Sequence, residues 1–367
     1  ALFSSYAGLF LPENEYNSEV ILDMGYLLNL RTWSEMYDGI PLSVGGRVNG
    51  FAPTQELVDD YIMKNGRSIH ESGSGYKEDD PYINRDPRLQ ATIVYHGYQW
   101  TDGNGKTSTI YIKPGSSADA GAANLDEYIG PGQNSTATGY YLRKWFDPTA
   151  PAGLASGLNL ILMRYADVLL MYAEAKAELG ELKQDDVDRT INLLRDRVGM
   201  PHASLSDWLS NIDPVQANRY SNVSSSQKGA VYEIRRERRI ELACEGFRYG
   251  DLRRWGCGKL LANVPEGVYL EPGYLDVTGD GQPDYAIVAT KADADAIPQA
   301  DKDKYNLQVE ILEGNTYSLT NGNKGYVRMI SQVGRWTFVE PKYYYTPIAT
   351  EDLIYNPNLI QNKYWAE

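Results

Sequence analysis

Four glutamates between residues 233 and 245 form the most regular set of chemically active side chains in this sequence. They recur at every fourth position: Glu233, Glu237, Glu241 and Glu245. On a helix this spacing places them on one stripe, where like charges repel. The stripe could bind a metal or transfer protons, but no histidine lies nearby to complete a di-iron pattern. We therefore predict a structural ion-pair network. Its candidate partners are Arg164, Arg238, Arg248 and Arg253.

A second group of oxygen-bearing side chains lies between residues 276 and 284. They occupy alternate positions, with a glycine after the third, which resembles the first half of a calcium-binding loop. The predicted oxygen ligands are Asp276, Thr278, Asp280, the backbone carbonyl of Gln282, and Asp284. The twelfth position is Ile287, so the bidentate acid of a complete loop is absent. A calcium site and a plain Asx/Gly turn both remain open.

The usual signatures of catalysis are missing from the sequence. His70, His96 and His202 are scattered, and there is no HExxH motif, no GxSxG motif and no triad spacing. A glycosidase needs two carboxylates several ångströms apart across a cleft, which sequence spacing leaves open. We predict a binding protein that is not an enzyme and requires no cofactor.

Composition narrows the class of partner. The net charge of the 367 residues is −14, and an acidic chain repels phosphate backbones, so nucleic acid is not expected. The chain has 29 Tyr against 6 Phe, a bias that suits wet, polar ligands. Cys244 and Cys257 are too few for a disulfide framework or a cysteine-based zinc site. One bridge between them and two unpaired buried thiols both remain open.

Three ranges of the chain must position these residues, and we treat them as parts of a single domain. Residues 1–157 read as loops and strands, residues 158–256 as helices, and residues 257–367 as loops, short strands and a tail. In the first range we predict a strand at Val20–Leu22, a helix that begins after Thr54, and a hairpin over residues 98–111. In the second range, helical spacing predicts helices over residues 160–179, 187–198 and 229–245, with Gly180 ending the first.

Short motifs along nearly the whole chain resemble the SusD/RagB family of outer-membrane nutrient-binding lipoproteins. The matching stretches are residues 17–22, 53–59, 85–93, 139–144, 160–175, 233–256, 345–348 and 356–362. The resemblance implies a mainly α (α+β) fold, in which a tetratricopeptide-like helical scaffold carries loop-rich and short-strand insertions. The family's signal peptide, lipidated cysteine and first helices have no counterpart here. We therefore expect the lipid anchor to belong to an N-terminal part of the precursor outside this chain.

The resemblance also implies a function. Such a lipoprotein lies on the surface of the outer membrane, captures oligosaccharides and passes them to a TonB-dependent, SusC-like outer-membrane barrel. Some members bind peptides instead, so a RagB-like peptide receptor is the alternative.

The family's ligand-contacting loops lie between the first motif and the long helix. The aromatic residues that we select in this interval are Trp33, Tyr37, Tyr95, Tyr98, Trp100 and Trp145. Aromatic faces suit sugars, because C–H groups present an apolar patch while hydroxyls need polar partners. Candidate polar partners are Asn29, Arg31, Asp38 and Arg47. We expect two or three of the six aromatics to contact ligand and the others to be core.

Overall fold

The computed structural model of the protein describes residues 1–78, 80–113, 124–127, 135–150, 155–270, 273–276, 281–322 and 324–366. The α-helices of these residues are α1 (Gln55–Asp60), α2 (Arg88–Thr92), α3 (Tyr165–Glu178), α4 (Gln184–Asp188), α5 (Ile191–Arg197), α6 (Leu205–Ser210), α7 (Pro214–Arg219), α8 (Lys228–Glu241), α9 (Phe247–Arg254), α10 (Lys291–Ala296), α11 (Gln299–Tyr305) and α12 (Thr350–Tyr355).

The strands of the described residues form small separate sheets. They are β1 (Val20–Met24), β2 (Ile93–Val94), β3 (Tyr98–Thr101), β4 (Thr107–Ile110), β5 (Tyr141–Leu142), β6 (Leu160–Arg164), β7 (Tyr269–Leu270), β8 (Gly273–Leu275), β9 (Tyr285–Val288), β10 (Gln308–Ile311), β11 (Tyr317–Leu319) and β12 (Gly325–Met329). Antiparallel pairs join β1 to β6, β2 to β5, and β3 to β4. β9 lies between β8 and a parallel β10, and β12 lies between β11 and β7.

The longest predicted helix, over residues 160–179, begins five residues later than predicted. Leu160–Arg164 forms β6, which pairs with β1, and α3 begins at Tyr165. A short apolar run fits a strand as well as a buried helix, and here the pairing with distant β1 decides for the strand. The other end is as predicted, because Gly180 follows the helix with φ +74°, a left-handed conformation that glycine adopts readily.

The remaining local predictions fare unevenly. The helix predicted over residues 187–198 is divided into α4 and α5, and the helix predicted over residues 229–245 ends at Glu241. The strand at Val20, the helix after Thr54 and the hairpin of β3 and β4 are confirmed. Each confirmed element depends on short-range signals that the sequence displays directly.

Two hydrophobic clusters are the largest among the described residues, a helical core and a larger core. In the helical core, α3 and α8 contribute Ala166, Ala173 and Ala230, all fully buried, and such small side chains let two helices lie close. The larger core joins residues from both flanking ranges, among them Tyr140 and Val268. The fold is the predicted α+β arrangement of a helical scaffold with loop and short-strand insertions.

Candidate ligand-binding cleft

A buried ion-pair network centred on Glu241 of α8 adjoins the candidate site. The Glu241 carboxylate accepts hydrogen bonds from Nη1 of Arg88 at 2.9 Å, from Nη1 of Arg164 at 2.7 Å and from Arg197. Arg164 also donates to Glu19 at 2.7 Å. None of these five side chains is more than 3% exposed. The predicted structural network around the glutamate stripe is therefore confirmed.

The network continues along the stripe in both directions. Glu245 accepts hydrogen bonds from Nε of Arg164 at 2.7 Å and from Nζ of Lys144 at 2.6 Å. Glu237 forms ion pairs with Arg88 and Arg195 at 2.7 and 3.2 Å. These partners come from β6, α2, α5 and the segment after β5, so the stripe ties distant parts of the chain to α8.

Of the predicted arginine partners, only Arg164 is right. Arg238 pairs with Asp167 and Asp251, Arg248 donates to the Tyr220 hydroxyl, and Arg253 donates to the Tyr344 carbonyl. Arg88 and Arg197, which do pair with the stripe, are far from α8 in sequence, and helical spacing gives no information about them.

The arginines determine the protonation of Glu241. Burial alone would raise the pKa of this carboxyl, but Arg197, Arg164 and Arg88 outweigh burial and hold the pKa well below its usual range. The same balance, with Arg164 and Lys144 as partners, lowers the pKa of Glu245. Both carboxylates are ionised at neutral pH, and their hydrogen bonds to arginine and lysine stabilise the scaffold.

Two of the six predicted aromatics, Trp33 and Trp145, line one cavity of about 420 Å³. We call it the indole cleft and define it by Trp33, Met36, Phe51, Leu142, Trp145 and Leu162. Lys144 and Glu245, at the end of the ion-pair network, also border it. Its volume lies within the usual range for small-molecule sites.

Both indoles are fixed by hydrogen bonds that their N–H groups make within the protein. The Trp33 Nε1 donates to the Leu158 carbonyl at 2.7 Å, and the Trp33 backbone pairs with Ser156. The Trp145 Nε1 donates to the Cys244 carbonyl at 2.9 Å. With both N–H groups engaged, the rings offer the cleft carbon surface.

Trp145 also has an unusual backbone. Its φ is +70°, and its ring packs edge-on against Phe10, with the ring centroids 4.7 Å apart. A bulky residue rarely adopts this conformation, and such strained residues concentrate at functional sites.

The predicted polar partners are mostly engaged with protein. Arg47 and Asp38 form a bidentate ion pair, with N–O distances of 2.5 and 2.9 Å. Arg31 donates to the Met24 sulfur at 3.3 Å and covers the Tyr26 ring. These groups stiffen the loop that carries Trp33 and Phe51.

Tyr37 and Trp100 belong to the core instead of a ligand surface. They are 6% and 1% exposed, respectively, and both lie in the larger core. Trp100 is the buried position of β3, whose neighbours Gln99 and Thr101 face solvent, so strand alternation turns the indole inward.

Tyr95 and Tyr98 lie together but away from the indole cleft. Their rings meet edge-on at 5.5 Å, and the Tyr98 hydroxyl donates to the Gln90 carbonyl at 2.8 Å. Both are half-buried and border a different surface depression. The structure thus brings together two of the six predicted aromatics in one cleft and two in another place.

Comparison with known proteins decides what kind of scaffold this is. Residues 19–365 match the model of the SusD family. The chain belongs to the SusD family. The match includes β1, α8 and both indoles of the cleft.

Individual relatives of this SusD-family chain are distant. It is 26% identical over 268 residues to SusD-like protein P25 of Formosa agariphila, covering 70% of this chain and 43% of the relative. A structure described as a SusD-like carbohydrate-binding protein from Bacteroides fragilis superposes with a TM-score of 0.67 at 25% identity. The superposition covers 98% of this chain and 58% of the Bacteroides fragilis chain. A second SusD-like protein of that species gives a TM-score of 0.58 at 22% identity, covering 98% of this chain and 56% of its own.

The SusD-family chain thus spans about half the length of the relatives it matches. Among its described residues, no helix has both the length and the apolar character to cross a membrane.

Sequence reasoning did not identify a second cavity in this SusD-family chain. It measures about 580 Å³, and its tyrosines are Tyr76, Tyr82, Tyr140 and Tyr269. We call it the tyrosine cavity. The high Tyr count pointed to it only in general terms, because its walls come from segments that are far apart in the sequence.

The calcium prediction remains a prediction. Thr278 and Asp280 lie outside the described residues. Asp276 is exposed and accepts a hydrogen bond from the backbone N–H of Gly281 at 2.8 Å. No cluster of three or more His, Cys, Asp or Glu side chains suited to a metal occurs within the described ranges.

The two cysteines do not form a bridge. Cys244 and Cys257 are both free thiols. Cys257 is buried, as one alternative predicted, whereas Cys244 is exposed at the turn after α8.

Proposed function

We propose that this SusD-family chain captures a neutral oligosaccharide in the indole cleft, without chemical turnover. The observation that carries the proposal is the convergence of Trp33 and Trp145 on one cavity of about 420 Å³. A sugar ring presents C–H groups that pack on an aromatic face, while its hydroxyls remain hydrated or bind polar groups at the rim. The similar Bacteroides fragilis structure, described as carbohydrate-binding, supports the same class of ligand.

The cleft is suited to weak, reversible binding. Its indole N–H groups are already bonded to the Leu158 and Cys244 carbonyls, so ligand gains mainly ring contacts. Such contacts release ligand readily, which a protein that passes its ligand onward requires. We extend the proposal to delivery: a receptor anchored at the outer-membrane surface by lipid, handing the oligosaccharide to a SusC-like, TonB-dependent barrel. A peptide ligand is the competing outcome.

Isothermal titration tests the proposal. Neutral oligosaccharides and a mixed set of short peptides are titrated into the wild-type chain and into Trp33→Ala, Trp145→Ala and Trp336→Ala. Trp336 is an exposed indole away from the cleft and serves as the matched control. We expect saturable heat with a sugar, weakened about tenfold or more by either cleft substitution and unchanged by the control.

Three results would overturn the proposal. Heat with peptides alone would assign the cleft to the peptide-binding branch. Equal binding by all four proteins would place the site elsewhere. Chromatography of the titrated mixture that reveals shortened sugars would show turnover.

A further inference from the structure

We propose that the tyrosine cavity is a second binding site, and that it takes a neutral oligosaccharide. The inference shares with the proposed function only the class of ligand, because the two cavities have different walls. Its volume of about 580 Å³ is ample for a small ligand. Four phenols in one cavity combine flat carbon faces with hydroxyl groups, the combination that a sugar requires.

A relay of hydrogen bonds fixes the polarity of the cavity wall. The Gln55 Nε2 donates to Oδ1 of Asp59 at 2.7 Å, which orients the Gln55 amide. The Gln55 Oε1 then accepts from the Tyr140 hydroxyl at 2.5 Å. The Tyr140 oxygen in turn accepts from the Tyr82 hydroxyl at 3.3 Å. Every donor in this relay points away from Tyr82 and toward Asp59.

The direction of the relay determines what ligand group fits at its end. Burial raises the pKa of Asp59 to about 6, so above that pH the carboxylate is ionised and can only accept. The Tyr82 proton is committed to Tyr140, and burial raises the Tyr82 pKa to about 12, so the phenol stays neutral. Its oxygen therefore offers lone pairs and accepts a hydrogen bond from a ligand hydroxyl.

The rings that would contact a sugar are held rigidly. Tyr82 stacks on Tyr95 with centroids 4.0 Å apart and planes at 17°. The Arg85 guanidinium lies over Tyr76 at 5.5 Å and donates to the Val58 carbonyl. An aromatic ring has two faces, and Tyr82 and Tyr76 each have a protein group packed against one of them. Rigid aromatic platforms lose little entropy when they bind.

Charge at the cavity disfavours acidic sugars. Glu78, Asp80 and Lys113 line it, two potential anions against one cation, in a chain of net charge −14. Sulfated or uronic sugars would meet like charge there. Neutral hexose or pentose chains avoid this repulsion.

The test separates the two cavities by variant. Maltotetraose, cellotetraose, xylotetraose and tetragalacturonic acid are titrated at pH 7.5 into four proteins. These are the wild type, the double variant Trp33→Ala/Trp145→Ala, that double variant with Tyr82→Phe, and that double variant with Tyr172→Phe. Tyr172→Phe is the matched control, because it deletes a hydroxyl that donates to Asp186 at 2.8 Å on the helical scaffold. Circular dichroism melting checks that each protein is folded.

We expect the double variant to retain a one-to-one heat with at least one neutral tetrasaccharide. Adding Tyr82→Phe should weaken it about fivefold or more, and adding Tyr172→Phe should not. Sugar binding that the double substitution abolishes would overturn this inference and leave the proposed function intact. The double variant could instead bind sugar with wild-type affinity and lose that binding when Tyr82→Phe is added. This result would support the tyrosine cavity and overturn the indole cleft. No binding of any probe to the wild type, or preference for tetragalacturonic acid, would overturn the inference.

Discussion

The ion-pair network and the indole cleft meet at Lys144 and Glu245, but they are built from opposite chemistry. Around Glu241, buried charges are matched one against another, and ionic partners arrive from β6, α2 and α5. The cleft, in contrast, presents half-buried rings such as Trp33 and exposed apolar groups such as Phe51.

This difference determines which region can vary. Removing one member of a buried charged network leaves its partners uncompensated, so single substitutions there cost much stability. A half-buried ring can be replaced at modest cost to the fold. The network therefore fixes the scaffold, and ligand preference can change at the cleft without unfolding the chain.

The largest expected effect is that of Glu241→Gln. The substitution leaves Arg88, Arg164 and Arg197 without their shared anion, and we expect the free energy of unfolding to fall by about 3–5 kcal/mol. Urea denaturation measures it. Glu351→Gln, at an exposed position on α12, is the control and should change stability by less than about 0.5 kcal/mol. Similar small losses for both variants would show that the network does not hold the scaffold.

Acid should weaken the ion-pair network by protonating its carboxylates. Because the folded pKa values of Glu241 and Glu245 are lowered, their stabilising contribution is fully present above the unfolded value of about 4.5. It is lost as the pH falls through the lowered folded values. We expect the thermal midpoint to fall between pH 4.5 and pH 3, with a shallower fall in Glu241→Gln. Parallel curves for the two proteins would contradict this assignment.

Trp145→Ala should weaken sugar binding and cost less stability than Glu241→Gln. The ring is half-buried and packs edge-on against Phe10, so we expect a loss of about 1–2 kcal/mol in the free energy of unfolding. Sugar affinity should meanwhile fall about tenfold. Urea denaturation and titration of the same preparation measure both quantities. A stability loss as large as that of Glu241→Gln would mean that the cleft is also scaffold.

Local sequence signals predicted part of this structure correctly. The hairpin of β3 and β4 follows from Gly and Asn at a tight turn. The shared face of Glu233, Glu237 and Glu241 follows from spacing along α8. Both kinds of signal lie within a few residues of the feature that they predict. The resemblance to the SusD/RagB family predicted the overall α+β fold.

Long-range pairing accounts for most of what the sequence did not reveal. Leu160–Arg164 became β6 because β1 lies beside it, and Arg88 reaches Glu241 across 153 residues. The same limit applies to ligand residues. Trp33 and Trp145 could be selected as aromatic, but only the fold shows that they share a cleft while Trp100 faces inward.

Trp100→Phe provides the smallest effect and the sharpest control for the comparison. The Trp100 Nε1 has no hydrogen-bond partner among the described residues, so phenylalanine removes an unpaired polar group while leaving a small void. Removing the unpaired N–H stabilises the protein and the void destabilises it. We therefore expect the free energy of unfolding to change by about 1 kcal/mol or less, with sugar affinity unchanged. Thermal melting and titration beside Trp33→Ala measure the contrast. If Trp100→Phe weakened sugar binding as much as Trp33→Ala, the ligand surface would have to include the buried face of β3. The separation between a supporting core and a binding cleft would then fail.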